Sequence, residues 1–411
     1  MTQEQALAVM HGGGNVFLTG EPGAGKTYTL NKFIEEARAR GKRIAITAST
    51  GIAASHIDGV TIHSWSGLGI KDEVSDAELE DLSYKGWIRK KYAMCDILII
   101  DEVSMLHGSR LDMVERACRW VRGNERPFGG LQIILVGDLY QLPPVTKGAR
   151  RADYVHESEA WEKANLTPCY LTEQHRQEGS DALLDILRAM RANKIDGTHK
   201  DQLAIRSAHE AHKDITRLYT HNVDVDSLNE ERLAEIDAEE ISYVMEVQGD
   251  EWKCDAMKKS ILAPEILKLK VGAEVMFVAN NFSEGYVNGT RGKVVKFRDN
   301  YPVVELVNGN TIQVVDHVWK TYDERGEYVI ASVTQLPLRL AWAITVHKSQ
   351  GMTLDAAEVD LSRAFSPGMG YVALSRVKTL DGLYITGLGE QALLMDPNIH
   401  ELDKILRKEN V

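Results

Sequence analysis

The sequence predicts an α/β protein with two parallel-sheet domains and a small antiparallel β-domain inserted into the second. Three observations lead there. In the first third, short β-rich apolar runs alternate with segments of helical spacing. A second α/β stretch begins near Leu166. Between about Ala263 and Gln335 the hydrophobic period changes to two.

Taken in order, "NVFLTG" (15–20), "RIAITAST" (43–50), "ILII" (97–100) and "LQIILVG" (131–137) read as buried strands. Between the first two, "KTYTLNKFIEEARARGK" has apolar residues at helical spacing, and Gly41 stops it. Alternating βαβ units imply a parallel sheet covered by helices. "KDEVSDAELEDL" (71–82) reads as a solvated helix. In the second stretch "DALLDILRAMRA" (181–192) is helical and "TRLYTH" (216–221) is a strand. Then "AEVMFVAN", "GKVVKF", "PVVELV", "TIQVV" and "EYVIASV" alternate with period two, and Asn308-Gly309 marks a hairpin. The α/β pattern resumes at "LRLAWAITVH" and finishes with "GLYITGL". The expected domains are 1–165, 166–262 plus 336–411, and the inserted 263–335.

The chain has 411 residues, 44% hydrophobic and 26% charged, as soluble globular domains do. No apolar run approaches the roughly 20 residues of a membrane span. The first residues lack the basic start and apolar core of a secretory signal. Cys95, Cys118, Cys169 and Cys254 are scattered and form no CxxC pair. Buried thiols in a reducing cytoplasm are expected, rather than metal ligands or disulfides. The net charge of -12 argues against a basic coat. Nucleic acid would then be bound by a local patch.

"GEPGAGKT" (20–27) follows a strand and precedes a helix, the setting a phosphate-binding loop needs. Glycines such as Gly23 and Gly25 let backbone N–H groups turn toward a β-phosphate. Lys26 places an ammonium on the β- and γ-oxygens, and Thr27 offers a hydroxyl to Mg²⁺. This points to ATP with Mg²⁺, with Tyr28 next along the helix beside the nucleotide. In "ILIIDEVSM" a buried strand ends in two acids at the carboxyl edge of the sheet. Adjacent acids there also occur in ordinary turns; with a phosphate loop upstream, Asp101 is expected on Mg²⁺ and Glu102 on the attacking water. Phosphoryl transfer also needs added positive charge, and Arg176 and Arg376 are the candidates. The stretch "PFGGLQIILVGDLYQLPPV" (127–145) ends a core strand in an acid, an amide and two prolines, which packing alone does not require.

With these residues in place, the sequence resembles the Pif-one family of DNA helicases, in the RecD-like branch of superfamily one. "GEPGAGKT", "TASTGIAA" (47–54), "IIDEVSM", "LVGDLYQLPPV", "LTEQHRQ", "AITVHKSQGMTL" (343–354) and "YVALSRV" resemble its motifs I, Ia, II, III, IV, V and VI. "TIHSWSGLG" (61–69) resembles the segment after motif Ia. The most specific part is "SRLDMVERACRWVRGNERPFGGLQ", similar to the family's signature segment. "TQEQ" at the start looks like the adenine-recognising element, carried by Gln5. Its position at the very start suggests a prokaryotic or phage member, or a helicase core.

The resemblance implies two RecA-like domains, an SH-three-like barrel at 263–335 and a wedge insertion at about 64–93, with the barrel as the other candidate for parting the strands. It implies that ATP is hydrolysed between the domains, with Arg176 and Arg376 supplied by the second, and Gln350 and Gly351 lining the same cleft. Gln141 would read the γ-phosphate or its water, while Asp138 braces that loop without being catalytic. Single-stranded DNA would be held by Thr50, Gly51, His63, Ser64, His347 and Lys348, through its backbone. For Trp65 two readings stand, a stacking platform and a core indole. The implied activity is ATP-dependent 5′→3′ movement and unwinding at single-strand/duplex junctions. A monomer acting in the prokaryotic cytosol or nucleoid is expected, with G-quadruplex DNA as a further family-associated substrate. An ATP-gated DNA-binding switch, a nucleotide kinase and a nuclease-machine subunit are the rival classes. The first need not keep motifs III, V and VI together, the second gives no reason for a second α/β half, and no nuclease acids are evident.

Overall fold

The computed structural model describes the chain except for residues 58, 70, 72, 145–151, 174–181, 208, 210–214, 282, 287, 288, 307, 308, 323–327, 351–353 and 411. It divides into two compact units. One comprises residues 1–200, 364–378 and 389–411; the other comprises 201–363 and 379–388.

The first unit is built on a parallel sheet of six strands: β1 (Val16–Gly20), β2 (Ile44–Ala48), β3 (Val60–Thr61), β4 (Ile97–Asp101), β5 (Gln132–Val136) and β6 (Thr167–Leu171). Their order is β3-β2-β4-β5-β1-β6. β1 and β4 are buried along their whole length, as parallel strands covered on both faces must be. Helix α1 (Gln3–His11) opens with a capping box between Thr2 and Gln5. Helix α2 (Lys26–Ala39) buries Leu30, Phe33, Ile34 and Ala37 in the same core as Val16, Leu18 and Ile99. The strand order brings β4, β5 and β1 side by side. The loops that follow these three strands therefore leave the sheet at one carboxyl edge.

The structure moves the boundary expected after residue 165. β6 pairs with β1 over Val16↔Thr167 to Gly20↔Leu171, so it closes the first sheet instead of opening the second. Pro168 has no N–H to give a ladder, which suits the edge position β6 occupies. Residues 364–378 and 389–411 also pack in this unit. There the helix Met369–Leu374 is buried at every position.

The segment expected as an insertion contains helices Asp76–Tyr84 and Gly86–Ala93. The first is capped by Ser75 and Glu78, as its acidic solvated reading requires. Both pack on helix Gly108–Arg122, within the family-like segment. That helix holds them with a row of arginines. Arg110 donates to Gly69 O at 3.1 Å and also to Lys71 O. Arg116 donates to Val74 O at 2.7 Å and pairs with Asp76. Arg122 donates to Cys95 O at 3.1 Å, to Tyr92 O, and through Nε to Gly129 O at 2.8 Å. Phe128 and Gly129 both take left-handed backbone, at φ 52° and 60°. A Cβ on Gly129 would lie 2.5 Å from Cys118 O.

The second unit has a parallel sheet of four strands, in the order Ala343–Thr345, Thr216–Tyr219, Ala357–Leu361, Leu383–Leu388. Its antiparallel part comprises sheets of five, three and two strands. The period-two segments all appear in it as strands: Glu274–Phe277, Arg291–Arg298, Tyr301–Leu306, Thr311–Gln313 and Val329–Gln335. The hairpin strands pair as Val304↔Ile312, with Gly309 at φ 83°; Asn308 is outside the described residues. The region is wider than the expected 263–335. Ile241–Val244 pairs with Ile266–Leu269, Glu246–Gly249 with Val329–Gln335, and Leu338–Leu340 with Glu274–Phe277. These partners are distant in sequence, so no local turn announces them. All four cysteines are free and buried. Among the described residues no helix is long and apolar enough to cross a membrane.

Gly129→Ala should destabilise the protein by about 2 kcal/mol or more, from the left-handed backbone and the clash with Cys118 O. Urea denaturation of the purified variant measures this; an unchanged midpoint would show that the turn relaxes freely.

Candidate functional site

The phosphate loop leaves β1 at Gly20 and re-enters regular structure at α2. Gly23 and Gly25 stand at φ 84° and 83°, where a side chain would be strained. Gly25 immediately precedes α2, whose first turn carries no acidic residue. The free N–H groups and dipole of that helix start therefore favour an anion. Lys26 folds back and donates to Gly20 O at 2.8 Å and Glu21 O at 3.2 Å. Burial lowers the Lys26 pKa, opposed by the carboxylates of Asp138, Glu102 and Asp101. The ammonium is thus held near three acids without a tight ion pair, ready to prefer a phosphate. Thr27 and Tyr28 are exposed on the first turn of α2. Gln5 has its carboxamide oxygen 2.7 Å from Thr2 N, inside the helix cap. Gln3, rather than Gln5, donates to Ala24 O of the phosphate loop, at 3.4 Å. Nothing in "TQEQ" separates the two glutamines by local pattern.

β4 delivers the two acids. Asp101 is buried, and that burial together with the charge of Glu102 pushes its carboxyl up to about 7. The Glu102 N–H, 2.8 Å away, and Lys26 act in the opposite sense. Glu102 sits at φ 48°, in left-handed backbone, and its carbonyl accepts from Ser49 Oγ at 2.7 Å. A buried carboxylate crowded by a second one is relieved by a divalent cation. The oxygen donors Asp101 and Thr27 suit Mg²⁺, which needs few protein ligands because it retains water.

The turn after β5 is held by a buried ion pair. Asp138 is 1% exposed and accepts from Arg191 Nη1 at 2.7 Å, Tyr371 hydroxyl at 3.1 Å and Tyr140 N at 3.2 Å. Arg191 donates to the Tyr371 and Tyr170 hydroxyls, each at 2.7 Å, and lies 3.3 Å from Asp403. Its guanidinium also stands 4.2 Å from the centre of the Tyr140 ring. Arg407 extends the network, with Asp403 at 2.7 Å and the Tyr170 hydroxyl at 2.6 Å. Gln141 is buried in the same turn, and its N–H donates to Asp138 O at 2.9 Å. Asp138 is thereby occupied as a brace. The sequence did not reveal Arg191, because an arginine ending an amphipathic helix reads as solvated.

Arg376 follows helix Met369–Leu374 and is 4% exposed. It donates to Val372 O at 3.0 Å and Ser375 Oγ at 2.8 Å. Expected in the second domain, it packs in the unit that carries the phosphate loop. Contacts of that helix with the turn after β5 account for the difference: the Tyr371 hydroxyl donates to Asp138 at 3.1 Å, and a Cβ on Gly368 would lie 2.6 Å from Tyr140 O. Gln350 is buried in the other unit. Arg176 and Gly351 lie outside the described residues.

Of the residues expected at DNA, Thr50 caps helix Gly51–His56 by accepting from Ala53 N at 3.2 Å. His63 and Ser64 lie on the short helix Ile62–Ser66. Burial, with Arg110 and His107 nearby, lowers the His63 pKa to about 4. It is therefore neutral near pH 7 and can offer a phosphate only a hydrogen bond. Trp65 is 6% exposed and stacks on Tyr92 with centroids 4.8 Å apart, so it is a core indole. In the second unit His347 and Lys348 are half-buried, and burial lowers both pKa values.

The family model described as "PIF1-like helicase" matches residues 3–195, and "DNA helicase Pif1, 2B domain" matches 254–297. The chain is 41% identical to the ATP-dependent DNA helicase Pif1 of Psychrobacter sp. (strain PRwf-1), over 97% of this chain and 69% of that protein. It is 37% identical to the Bdellovibrio bacteriovorus protein of the same name, over 97% of this chain and 90% of that one. It spans 65% of the length of the Xenopus laevis protein, at 36% identity and over 100% of this chain. Among solved structures it is similar to the Pif1 helicase from Candida albicans, with TM-score 0.86 and 33% identity over 98% of each chain. It is also similar to Bacteroides Pif1 in complex with ADP-AlF3 and ssDNA, with TM-score 0.71 and 30% identity over 99% of this chain and 97% of that one.

Two measurements test this geometry. Asp138→Asn and Arg191→Gln should each cost about 3–5 kcal/mol in urea denaturation, and the double variant much less than their sum; additive losses would show that the two groups do not depend on each other. The folded-state pKa of His63 lies below its unfolded value of 6.5, so its contribution is complete above pH 6.5 and is lost as pH falls toward 4. His63→Gln should flatten the fall in unfolding free energy across that window, and an unaltered pH profile would refute the neutral, half-buried imidazole.

Proposed function

The chain belongs to the PIF1-like helicases and is an ATP-dependent DNA helicase; from that premise we propose how its residues share the work. The observation that carries the proposal is the meeting of Lys26, Asp101, Glu102 and Gln141 at one edge of one parallel sheet.

Backbone N–H groups of the phosphate loop, Gly23, Gly25 and Lys26 among them, receive the β-phosphate, and Lys26 exchanges the carbonyls of Gly20 and Glu21 for phosphate oxygens. Thr27 and Asp101 hold Mg²⁺, which when bound neutralises phosphate charge. Glu102 orients the attacking water and takes its proton. Gln141 contacts the γ-phosphate or that water, and Arg176 and Arg376 stabilise charge in the transition state, a role worth roughly 10³–10⁵ in rate. Gln5 and Tyr28 meet the base, which requires Gln5 to exchange its cap bond for the ligand. Gln350 and Gly351 are assigned to the nucleotide as well.

Thr50, Gly51, His63, Ser64, His347 and Lys348 are assigned to the backbone of single-stranded DNA, which predicts little sequence preference. Movement is 5′→3′, the insertion at about 64–93 parts the strands, and the antiparallel region acts as an SH-three-like barrel. Junction DNA and G-quadruplexes are its substrates, and it acts as a monomer in the prokaryotic cytosol or nucleoid. Solved relatives bound to ssDNA and to forked dsDNA support the choice of substrate.

Strand displacement with ATP, on duplexes carrying either a 5′ or a 3′ single-stranded tail, tests class and direction together. The 5′-tailed duplex alone should be unwound, and Lys26→Ala should abolish both unwinding and ATP hydrolysis. Unwinding of the 3′-tailed duplex would overturn the direction, and near-normal hydrolysis by Lys26→Ala would overturn the site.

A further inference from the structure

We propose that helix Gly86–Ala93, with Lys85 before it, is a docking surface for the phosphate backbone of duplex DNA ahead of the fork. The inference rests on the helicase reading and adds a duplex contact separate from the single-strand path.

The charge pattern is local. The chain carries net charge -12, yet residues 82–95 contain Lys85, Arg89, Lys90 and Lys91 and no acid. Ile88 and Tyr92, one turn apart, are buried. At 100° per residue this turns Lys85, Gly86, Arg89, Lys90 and Ala93 outward as one continuous arc, and all five are exposed. Two of the five are the small residues Gly86 and Ala93, which leave the cations open to a close approach.

The cations are also unspent. Several other exposed bases of this unit meet acids, as in Arg43–Asp96, Lys71–Glu78 and Lys163–Glu159. Among the described residues the side chains of Lys85, Arg89 and Lys90 have no ion pair or hydrogen bond. Lys85 and Arg89 are four apart, so they repel each other on the free helix. An external polyanion removes that cost. Lys91 is different: it lies over the rings of Trp87 and Trp65, at 4.7 and 5.7 Å, and burial lowers its pKa to about 8. The flanking acids in sequence are Asp81, on the preceding helix, and Asp96, which pairs with Arg43 at 2.9 Å.

Duplex suits this surface better than single strand. Stacking of unpaired bases uses open aromatic faces. The arc has none, because Trp65 is buried and Trp87 is half-buried with Lys91 over its ring. Among the described aromatic residues of 82–95, Tyr84 alone is exposed, and it lies outside the helix. What remains is a row of cations on a fixed base. Arg122 donates to Tyr92 O and, at 3.1 Å, to Cys95 O, and the Tyr92 hydroxyl donates to Ser66 O at 2.8 Å. Cations held this way can follow the regular phosphate spacing of a duplex.

The test compares the full chain with Lys85→Ala/Arg89→Ala/Lys90→Ala, and with Lys85→Arg/Lys90→Arg as the charge-conserving control. Affinity is measured for oligo-dT and for a fork whose single-stranded arm has the same length. The triple variant should bind oligo-dT and support dT-stimulated ATP hydrolysis within twofold of the parent. Its fork affinity should fall at least fivefold, with the slope of log K against log salt shallower by about 2 to 3. The control should keep both. Equal loss on oligo-dT and fork would place the patch on the single-strand path and overturn the proposal, as would an unchanged fork affinity. A parent that unwinds no fork would sink the helicase reading, which a failed variant comparison alone would leave standing.

Discussion

The buried pair between Asp138 and Arg191 is the constraint on which the candidate site depends. It ties the turn after β5 to a helix ending at residue 191, to Tyr371 and to Asp403 in the last helix. A charge this deeply buried is tolerable only with its partners in place, because desolvation alone would cost several kcal/mol per ion. Sequence-distant segments must therefore be assembled before Gln141 has a fixed position. The same requirement explains why residues 364–378 and 389–411 pack with the phosphate loop: they complete the shell around Arg191.

The phosphate loop and the two acids at the end of β4 show a second balance. Lys26 is half-buried beside three carboxylates yet is satisfied by carbonyls, and Asp101 is held up to about 7 by burial and by Glu102. Both groups are poorly matched to their surroundings without a ligand. A triphosphate with its cation would correct both at once, the oxygens taking the ammonium and the cation taking the carboxylate. Such poise is expected of a site that must bind charge and then release it.

The helix between motifs II and III does different work. Its arginines reach backbone carbonyls of the inserted segment, and Leu79, Leu82, Ile88 and Tyr92 are buried beneath it, so the segment is positioned by contacts on its inner face. That frees the outer face of helix Gly86–Ala93 to vary in composition without loss of position. In this chain that face is basic and unpaired, and the proposed duplex contact follows from it.

Much was legible from residues alone. The phosphate loop, the Asp101-Glu102 pair and the period-two strands depend on local chemistry: glycines that permit left-handed backbone, acids that end an apolar run, and alternation of side chains along a strand. Such signals lie within a few residues of one another, so the chain displays them directly. The assignment of β6 to the first sheet, the extra antiparallel partners at 241–249 and 338–340, and the place of Arg376 could not be read this way. Nor could Arg191, whose helix-end position looks solvated until Asp138 and three tyrosines close over it. Pairing between distant strands and burial of a charge are decided by what the rest of the chain brings alongside. The sequence by itself determined which chemistry is present; the tertiary structure decided which groups are free to use it and which are held as braces.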